Sequence, residues 1–565
     1  MREKALKVLI VGGYGTFGGR LVVLLQGEAR LALVVAGRSL DKASAFCAEL
    51  RGAKAQLIPA VFDRLGDLSA QLAAWAPDVL VDASGPFQAY GARPHLLIEA
   101  CIAARIDYLD LADGSDFVDG VGAFDDAAKR AGVYVLSGVS SFPVLTAAVV
   151  RRLSGGLTRV TSIQGGIAPS PYAGVGENVV RAIAAYAGQP LALWRGGASA
   201  LGHAFTESRR FTIAPPGRVP LKSTLFSLVD VPDLRALPKL WPEVGEVWMG
   251  AGPVPEVLHR ALIAFAWLVR WRLVPSLSPL AALMFQVTNR MRWGEHRGGM
   301  FVALEGLDAN GQPVKRSWHC LAEGDDGPLI PSMAIEAIVR KALDGRAPAP
   351  GGRAAIKDLE LGDYEGLFAG RTIHTGTRDD TPDVRAPLHA RVLGNAWHEV
   401  APEIRRMHDV QTEGHASGRC SVDRGSGWLS NLIARLFGFP RAGPDLPVTV
   451  RFKADNETEQ WTRTFGDQTL SSRLYVGSGR CERLLCERFG PFEFAQALVV
   501  EGDCVKLVMR QWSAFCIALP LWLGPRSNSR ETTLQGRFHF FVEISHPLTG
   551  LIVCYRGWLV RNTDP

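Results

Sequence analysis

The feature that most constrains this chain is a short apolar, β-branched run that breaks into glycines. Residues 8–19 read VLIVGGYGTFGG, with glycines at Gly13, Gly15 and Gly18. A buried strand must be apolar, and the turn after it needs glycine where backbone N–H groups approach a pyrophosphate too closely for a Cβ atom. This GxGxxG pattern stands directly after the strand and at the start of a helix predicted over 17–25. That arrangement is typical of a dinucleotide-binding unit.

The end of the second predicted strand, residues 31–36, indicates which dinucleotide is bound. A carboxylate at this place would hydrogen-bond a ribose 2′-hydroxyl, but the sequence has Arg38 and Ser39. A guanidinium suits a 2′-phosphate because its fork of donors matches phosphate oxygens and its charge is permanent. The sequence therefore favours NADP over NAD. The alternative is that Arg38 is a solvated charge at the end of a strand.

Strands and helices continue to alternate over the first 150 residues. The later predicted strands are 56–61, 79–82, 108–111 and 133–136, and the helices between them are 67–76, 93–105 and 124–131. Such alternation with short links predicts a parallel, doubly wound α/β sheet of the Rossmann type, over residues 1–150. Its ligand is expected beyond the carboxyl ends of the strands.

The residues at those strand ends are the candidate site residues. A nicotinamide enzyme needs a proton donor or acceptor near the reacting carbon, and Tyr90 is the first candidate, with Asp113 the second. The alternatives are that Tyr90 caps the next helix and that Asp113 belongs only to a turn. The candidates for cofactor binding lie in the glycine turn and at the strand ends: Gly13, Tyr14, Gly15, Thr16, Phe17, Gly18, Arg38, Ser39, Asp63, Ser84, Gly85 and Pro86.

Five segments of this region, in their order and spacing, resemble the saccharopine dehydrogenase-like oxidoreductases. They are GGYGTFGGR, AGR, DASGPFQAYG, YLDLADG and SGVSSFPVL. The resemblance covers about the first 150 residues and implies an NADP-binding Rossmann domain. It also implies hydride transfer at a C–N or C–O bond of a small metabolite, which would lie between this domain and the next.

After residue 152 the alternation stops, which predicts a different kind of domain over 151–378. Strand-like stretches occur at 160–166, 210–213, 299–306 and 315–323, with helices such as 176–187 and 333–343 between them. These elements predict an α+β substrate and dimerisation domain. It ends in a stretch rich in proline and glycine, 346–352, and a final strand near 356–361.

Residues 257–293 are unusually apolar and rich in tryptophan. They contain the run ALIAFAWLV, followed by Arg270 and Arg272. A run of this length cannot cross a bilayer, which requires about 20 apolar residues, although helices on membrane surfaces carry the same mixture. Hydrophobic helices usually face a core or a partner subunit. The sequence therefore favours internal packing or a homodimer, with peripheral membrane contact as the alternative.

Beyond a polar linker at 377–386, strand signals dominate residues 387–565. Predicted strands are 412–422, 448–454, 459–465, 469–476, 505–515, 534–544 and 551–560, with one helix at 428–437. Such a series predicts a mainly antiparallel β domain, either a barrel or a sandwich. The strings WTRTFG, LCERFGPFEFAQAL, LPLWLGP, GRFHFFVEISHP and LIVCYRGWLV resemble a bacterial domain of unknown function, DUF4166. This second resemblance implies no chemistry.

The β domain contains conspicuous polar and aromatic residues that have two interpretations. They are Trp461, Arg463, Arg473, Glu487, Trp512, His539 and Trp558. They could line a ligand cavity, but the sequence favours aromatic side chains filling the interior while the charges face solvent. The cavity interpretation supports an alternative function for the chain. In that alternative it binds NAD(P) without catalysis, and its β domain binds a lipid, a small ligand or a protein partner.

Composition excludes several classes of function. A net charge of +6 over 565 residues is too dilute for nucleic-acid binding. The nine cysteines are scattered, and the closest pair, Cys481 and Cys486, lacks CxxC spacing. The twelve histidines are dispersed without an HExxH motif, so no metal is expected.

The same features predict where the protein resides. The first strand begins within a few residues of the N-terminus, which leaves no room for a signal peptide. The odd, scattered cysteines agree with a reducing compartment. The sequence thus predicts a bacterial cytoplasmic protein, with a position at the inner membrane surface as the alternative.

Overall fold

The computed structural model describes residues 5–174, 176–381, 383, 385–455 and 457–562. The chain forms two units, each of which takes up two separate stretches of sequence. Unit 1 consists of the residues up to 209 together with 224–375, and unit 2 consists of 210–223 together with the residues from 376 onwards. The predicted boundaries at 150, 378 and 387 remain predictions about domains, and the predicted linker position Pro382 lies outside the described residues.

The strands of unit 1 are β1 (Leu6–Val11), β2 (Leu31–Gly37), β3 (Gln56–Val61), β4 (Val79–Asp82), β5 (Asp107–Asp110), β6 (Tyr134–Ser137), β7 (Leu157–Ala168), β8 (Pro190–Arg195), β9 (Ala198–His203), β10 (Ser208–Phe211), β11 (Thr224–Leu228), β12 (Glu246–Ala251), β13 (Arg297–Asp308), β14 (Pro313–Glu323), β15 (Gly351–Ala354) and β16 (Ile373–Asp379). β10 and β16 carry the chain from this unit into the other.

The helices of unit 1 are α1 (Thr16–Leu25), α2 (Leu40–Glu49), α3 (Leu68–Trp75), α4 (Leu96–Ala104), α5 (Ser115–Gly120), α6 (Asp125–Ala131), α7 (Thr146–Leu153), α8 (Glu177–Tyr186), α9 (Asp233–Leu240), α10 (Glu256–Arg270), α11 (Ala281–Arg290), α12 (Ile330–Leu343) and α13 (Leu361–Phe368). Unit 2 contains α14 (Leu388–Leu393), α15 (Pro402–His408), α16 (Trp428–Leu436), β17 (Glu413–Arg424), β18 (Gly443–Ala454), β19 (Thr458–Phe465), β20 (Gln468–Val476), β21 (Leu485–Phe489), β22 (Phe492–Glu501), β23 (Cys504–Ala514), β24 (Ile517–Leu519), β25 (Arg526–Leu534), β26 (Arg537–His546) and β27 (Gly550–Arg561).

The first sheet of unit 1 is the predicted parallel, doubly wound sheet. Its strand order is β15-β6-β5-β4-β1-β2-β3, and every pairing is parallel. β2 and the last four residues of β1 are apolar and buried, because helices cover both faces of such a sheet. The direction of winding reverses between β1 and β4, so a crevice opens beyond the carboxyl ends of these two strands.

The seventh strand of this sheet corrects the prediction for 356–361. The strand is β15, and the residues after Glu360 form a helix, α13, whose N-terminus carries a capping box with Asp363. Gly352 lies against the start of α6, and its N–H donates to Asp125 Oδ1 at 3.1 Å. A side chain on Gly352 would meet the backbone of Asp125 at 3.0 Å. The glycines that resemble a linker in the sequence are therefore required for close packing of a strand.

The second sheet of unit 1 confirms the predicted α+β character of the middle region. β12 pairs parallel with β7, whereas β7 with β13 and β13 with β14 are antiparallel. The prediction missed five strands of this sheet, namely β8, β9, β11, β12 and β16. Each has at most seven residues, and glycine, proline and polar residues in or beside these strands obscure their alternation.

The apolar segment 257–293 forms α10, α11 and the turn between them. Among the described residues, no helix has both the length and the apolar character needed to cross a bilayer. Several large apolar side chains of the segment are exposed: Val257, Phe265, Trp271, Leu273, Leu280, Leu283 and Trp293. Contact with a second copy and contact with a membrane surface both stay predictions.

Unit 2 decides between the predicted barrel and sandwich in favour of a barrel. Within its described residues, ten antiparallel strands follow the order β22-β21-β20-β19-β18-β17-β27-β26-β25-β23, and β23 pairs back with β22. β24 adds a short hairpin to β23. Two details correct the prediction. β21, β22 and β25 occupy 485–489, 492–501 and 526–534, where no strand was predicted. The predicted strand 534–544 begins in the turn formed by Gln535 and Gly536, both with positive φ.

Candidate active site

The glycine turn joins β1 to α1 with very little space. Gly12 has φ +79°, and its N–H and that of Gly13 both donate to Ala36 O at 2.9 Å. A Cβ atom on Gly18 would lie 2.2 Å from the carbonyl oxygen of Gly12. The first turn of α1 therefore lies directly against the turn, which requires glycine at both positions. The prediction named Gly13, Gly15 and Gly18 but missed Gly12, although the Gly-Gly pair was a signal for it.

The N-terminus of α1 offers hydrogen-bond donors to a ligand. No side chain among the described residues caps this helix, and its first turn contains no acidic residue. The N–H groups of Thr16 and Phe17 begin the helix, where no intrahelical acceptor exists. The carbonyl of Phe17 accepts a hydrogen bond from Ser332 Oγ at 3.1 Å, which ties the turn to α12. An uncapped helix start beside a glycine turn fits a pyrophosphate.

The end of β2 leads into Arg38 and Ser39, two of the predicted cofactor-binding residues, and Tyr14 of the glycine turn lies beside it. The Tyr14 ring covers Gly37, where a Cβ atom would meet the ring at 2.5 Å, and its hydroxyl accepts from Ser39 N at 3.1 Å. Ser39 Oγ caps α2 by accepting from Lys42 N at 3.3 Å. Arg38 is exposed and has no hydrogen-bond or ion-pair partner among the described residues. Its guanidinium is thus available to a ligand.

Asp63 lies at the end of β3, next to this side of the site. Its Oδ1 accepts from Leu65 N at 3.0 Å, and its backbone is held by the side chain of Gln71. The carboxylate therefore shapes its own turn. The next residue, Arg64, reaches across to Tyr90 and lies 3.4 Å from the centre of that ring.

The end of β4 holds a buried network around Asp82. Ser84 Oγ donates to Asp82 Oδ1 at 2.6 Å, and Tyr90 OH donates to Asp82 Oδ2 at 3.0 Å. Burial raises the pKa values of both Asp82 and Tyr90, and the charge of Asp82 raises that of Tyr90 further. Tyr90 follows a 3₁₀ turn, Phe87–Ala89, and does not begin α4, so its hydroxyl serves this network.

The loop after this network is bonded to α8. Gly85 and Pro86 are joined by a cis peptide bond. The carbonyl of Gly85 accepts from Asn178 Nδ2 of α8 at 3.5 Å. The backbone of this loop is therefore positioned beyond the end of β4, where the sequence predicts a cofactor contact.

Asp110 holds the same place on β5 that Asp82 holds on β4. Its Oδ1 accepts from Ala112 N, Gly138 N and Ser137 Oγ at 2.8–3.0 Å, while its Oδ2 is buried without a partner among the described residues. Burial raises the pKa of this carboxyl to about 7. The prediction did not name Asp110 as a site residue.

Asp113 lies three residues beyond the end of β5. Gln88 Nε2 donates to its Oδ1 at 3.1 Å. The residue is exposed, yet protein atoms surround its carboxyl closely enough that the loss of solvation raises its pKa, and the charge of Asp230 raises it further. Asp230 itself accepts from Ser115 Oγ at 2.6 Å, and burial raises its pKa.

Tyr186, the last residue of α8, lies near Asp113 and Asp230. Burial raises the pKa of its hydroxyl, and the charges of Asp113 and Asp230 add to the effect. The prediction missed Tyr186 and Asp230 because no local pattern marks them. They come from elements 70 to 120 residues farther along the chain, and only folding brings them to Asp113.

One group of potential metal ligands occurs among the described residues, at Cys481, Cys486 and Glu493 in unit 2. One ligand atom from each lies within 4.8 Å of the others. Glu493 Oε2 already accepts from Arg488 Nη2 at 2.9 Å and from the hydroxyl of Tyr475. The expectation that the protein holds no metal stays a prediction.

The chain is similar to two protein families and to several solved structures. Apo saccharopine dehydrogenase (L-Glu forming) from Saccharomyces cerevisiae is 14% identical with a TM-score of 0.47, over 67% of this chain and 100% of that one. The WlbA (WbpB) dehydrogenase from Thermus thermophilus, in complex with NAD and alpha-ketoglutarate, is 12% identical with a TM-score of 0.27, over 61% of this chain and 89% of that one. No curated protein matches the sequence.

Two family models match separate parts of the chain. One is the saccharopine dehydrogenase NADP binding domain, over residues 8–136, and the other is the domain of unknown function DUF4166, over residues 400–559. The first match supports a nicotinamide dinucleotide as the cofactor class. Residues 8–136 are thus similar to the saccharopine dehydrogenase NADP binding domain and residues 400–559 to DUF4166, as the two resemblances in the sequence predict.

Proposed function

We propose that the protein is an NADP-dependent oxidoreductase that transfers a hydride at a C–N or C–O bond of a small metabolite. The observation that carries the choice of NADP is the exposed guanidinium of Arg38, which has no partner among the described residues. It lies at the end of β2, where the ribose 2′-position of a dinucleotide is expected. A permanent charge with a fork of donors suits a 2′-phosphate there.

The residues of the glycine turn and the strand ends would hold the two halves of the dinucleotide. The start of α1 would bind the pyrophosphate, while Tyr14 and Arg38 would bind the adenosine half. The nicotinamide half would lie beyond the ends of β4 and β5, along the loop of Ser84, Gly85 and Pro86. Tyr90 and Asp82 are positioning residues in this proposal, because their polar atoms bond to each other.

Asp113 is the proposed proton carrier. When bound, the nicotinamide supplies a hydride to the substrate carbon or accepts one from it. In the reducing direction the electron pair of the C=O or C=N bond moves to the oxygen or nitrogen, which takes a proton from Asp113. The raised pKa of this carboxyl keeps the proton available nearer neutral pH. Gln88 holds the carboxyl in place.

The first test is a titration of the full chain with NADPH and NADH, followed by tryptophan fluorescence. Arg38→Ala is expected to weaken NADPH binding by about 10- to 100-fold, the value of a hydrogen bond to a charged group. NADH binding should change by no more than about twofold. Arg51→Ala, at an exposed arginine elsewhere, is the matched control and should change neither affinity. Equal losses for both nucleotides in Arg38→Ala would contradict the assignment of the 2′-phosphate.

A screen for NADPH oxidation with small carbonyl and imine compounds then tests catalysis. Turnover of a member of either class supports the proposal. If both nucleotides bind but no compound is turned over, the alternative of a non-catalytic NAD(P)-binding protein is favoured. If neither nucleotide binds, both interpretations fail.

A further inference from the structure

The interior of the barrel in unit 2 is not completely filled by side chains. A cavity of about 420 Å³ lies inside it, within the range of small-molecule sites. Nine of the ten barrel strands, all except β17, contribute to its wall together with α16, and the wall is mainly aliphatic and aromatic. Of the residues that the sequence singles out, Trp461, Arg463, Glu487 and Trp512 line the cavity, while Arg473, His539 and Trp558 do not. The cavity interpretation of these residues is therefore correct for four of the seven.

Apart from histidines, the wall contains four ionisable side chains of strong acids and bases, Arg463, Glu487, Arg530 and Glu531, whose formal charges cancel. Arg463 Nη2 and Glu487 Oε1 are 3.0 Å apart, and Ser472 Oγ bonds to both side chains. Burial raises the pKa of Tyr555 to about 12, so this hydroxyl is uncharged. The cavity therefore presents no net charge along most of its length, and an apolar chain is the ligand that suits it.

One end of the barrel is closed by α14 and α15. α14 packs against β20, β21 and β22, and α15 packs against β25, β26 and β27. His389 of α14 and Met407 of α15 line the cavity. The His389 ring stacks on His408 at 3.7 Å, and burial lowers the pKa of His389 well below its ordinary value, so the ring is neutral.

The opposite end is open to solvent. β17, β19, β21, β23 and β26 end there, and the chain turns back into β18, β20, β22, β25 and β27. Two residues of these connections, Leu436 and Leu523, line the cavity and are also 73% and 44% exposed. His546 Nε2 lies 3.3 Å from Leu523 O, so two of the connections touch each other. The cavity thus has its mouth at this end.

Large exposed apolar side chains surround this mouth. They are Trp428, Leu432 and Leu436 on α16, Phe515, Ile517, Leu521, Trp522 and Leu523 after β23, and Leu548 in the turn before β27. Trp428, Trp522 and Leu548 are 78%, 74% and 85% exposed. We call this group the rim. Exposed clusters of this kind mark interaction sites, and the rim is continuous with the apolar wall of the cavity.

The charge of the mouth is positive. Arg435 and Arg441 lie in the connection between β17 and β18, and Arg526 is the first residue of β25. Within the described connections at this end, the acidic residue is Asp467, in the turn between β19 and β20. Tryptophan and leucine beside arginine are the composition of surfaces that bind anionic lipid.

We propose that the barrel of unit 2 binds a single-chain anionic lipid, with the apolar chain in the cavity and the head group at the mouth. The rim docks on an anionic bilayer, from which the lipid enters. The apolar wall, the closed far end, the open mouth and the three arginines each match one part of this ligand. Nicotinamide binding in unit 1 plays no part in the argument.

The first experiment uses cis-parinaric acid, a fluorescent fatty acid, with the full chain. Energy transfer from Trp461 and Trp512, both in the wall, should report saturable binding at one site. Displacement of the probe gives the affinity of saturated fatty acids. This affinity should rise about fourfold for each added methylene until the cavity is full. Displacement that does not depend on chain length would overturn the proposal.

Two pairs of variants locate the probe. Val542 lines the cavity, whereas its neighbour Phe541 does not. Val542→Trp should weaken binding by about tenfold or more, whereas Phe541→Trp should leave it unchanged. Leu523→Glu, at a partly exposed position that tolerates a charge in folding, should also weaken binding. Its control is Leu534→Glu at the other end of the barrel. If each variant and its control bound the probe equally well, the result would contradict a site in the cavity.

The second experiment measures sedimentation with vesicles made of equal parts of phosphatidylcholine and phosphatidylglycerol. The full chain should bind these vesicles and not vesicles of phosphatidylcholine alone. The double variant Trp428→Ser with Trp522→Ser should lose this binding. Trp271→Ser with Trp293→Ser, in the exposed helices of unit 1, is the control and should retain it. The reverse result would assign membrane contact to the helices and overturn docking by the rim.

Discussion

Three carboxyl groups near the ends of β4 and β5 lie in different surroundings and therefore behave differently. Asp82 and Asp110 are fully buried and bonded to neighbouring side chains and N–H groups. Asp113 is exposed and has a raised pKa. Buried carboxyls held by hydrogen bonds position loops, whereas an accessible carboxyl with a perturbed pKa is suited to proton transfer.

Asp113→Asn is therefore expected to separate binding from turnover. The variant should lower kcat by about 100-fold or more, the usual contribution of a general acid or base. NADPH affinity should change by no more than about twofold, since the side chain of Asp113 is bonded to Gln88 and is assigned here to the substrate and not to the dinucleotide. Steady-state kinetics and fluorescence titration measure the two effects. Tyr90→Phe is the comparison, and full turnover by that variant would exclude Tyr90 as the proton carrier.

Asp110→Asn is expected to make the free energy of unfolding less dependent on pH. The folded pKa of Asp110 is about 7, above its unfolded value near 4. The folded state thus holds a proton that the unfolded state loses, so the free energy of unfolding falls as pH rises from about 4 to about 7. An asparagine keeps the oxygen that accepts three hydrogen bonds. Because it does not ionise, it removes this fall in the free energy of unfolding with rising pH.

The stabilisation by Asp110→Asn should be about 2–4 kcal/mol at pH 8 and close to zero at pH 4. Urea denaturation of both proteins at the two pH values measures it. A stabilisation that is the same at both pH values would contradict the ionisation of Asp110 as its source.

At the scale of elements, the close approach of α1 to the glycine turn determines the dinucleotide site. Gly18 faces the carbonyl of Gly12 with no room for a methyl group. Any side chain there must push the helix start away from the turn. The donors at the helix start would then move away from the position that suits a pyrophosphate.

Gly18→Ala is expected to weaken NADPH binding by about tenfold or more while the chain still folds. Gly27→Ala is the matched control, because a Cβ atom on Gly27 meets nothing within 4 Å. Fluorescence titration gives the affinities, and circular dichroism confirms that both variants fold. Normal affinity in Gly18→Ala would show that the turn tolerates the shift of α1.

The sequence predicts elements well where their pattern is local and poorly where it is not. The first six parallel strands follow from apolar runs that end in glycine or polar residues, and the structure confirms them. β15 was missed because Gly351 and Gly352 resemble a linker. β21 and β22 were missed because Pro491 and several charges interrupt the alternation of their residues.

At the scale of the whole molecule, each unit is built from two stretches of the chain. Residues 210–223 belong to unit 2, although more than 150 residues separate them from the rest of it. Arg378, which is 4% exposed, donates to Ala214 O at 2.7 Å and to Val392 O at 3.0 Å. Val500 N donates to Gly217 O at 3.0 Å. The barrel therefore depends on a segment that its own family match does not include.

A fragment that begins at residue 376 is expected to be destabilised by about 2–5 kcal/mol, because a buried guanidinium and a strand N–H lose their acceptors. Fusing residues 210–223 ahead of it through a Gly/Ser linker should restore most of this stability. The same residues in shuffled order are the control. Thermal unfolding of the three fragments measures the effect, and equal midpoints would show that the segment contributes nothing to unit 2.

The sequence by itself determined the dinucleotide turn, the candidate at Arg38, the parallel sheet and the β character of the C-terminal region. These features depend on short spans, in which local sterics and the period of apolar residues decide the conformation. Only the tertiary structure decided that β15 joins the first sheet, that β22 and β23 close a barrel around a cavity, and that Tyr186 and Asp230 approach Asp113. Each of these results depends on contacts between residues far apart in the chain, where no local pattern records which partner a side chain will meet.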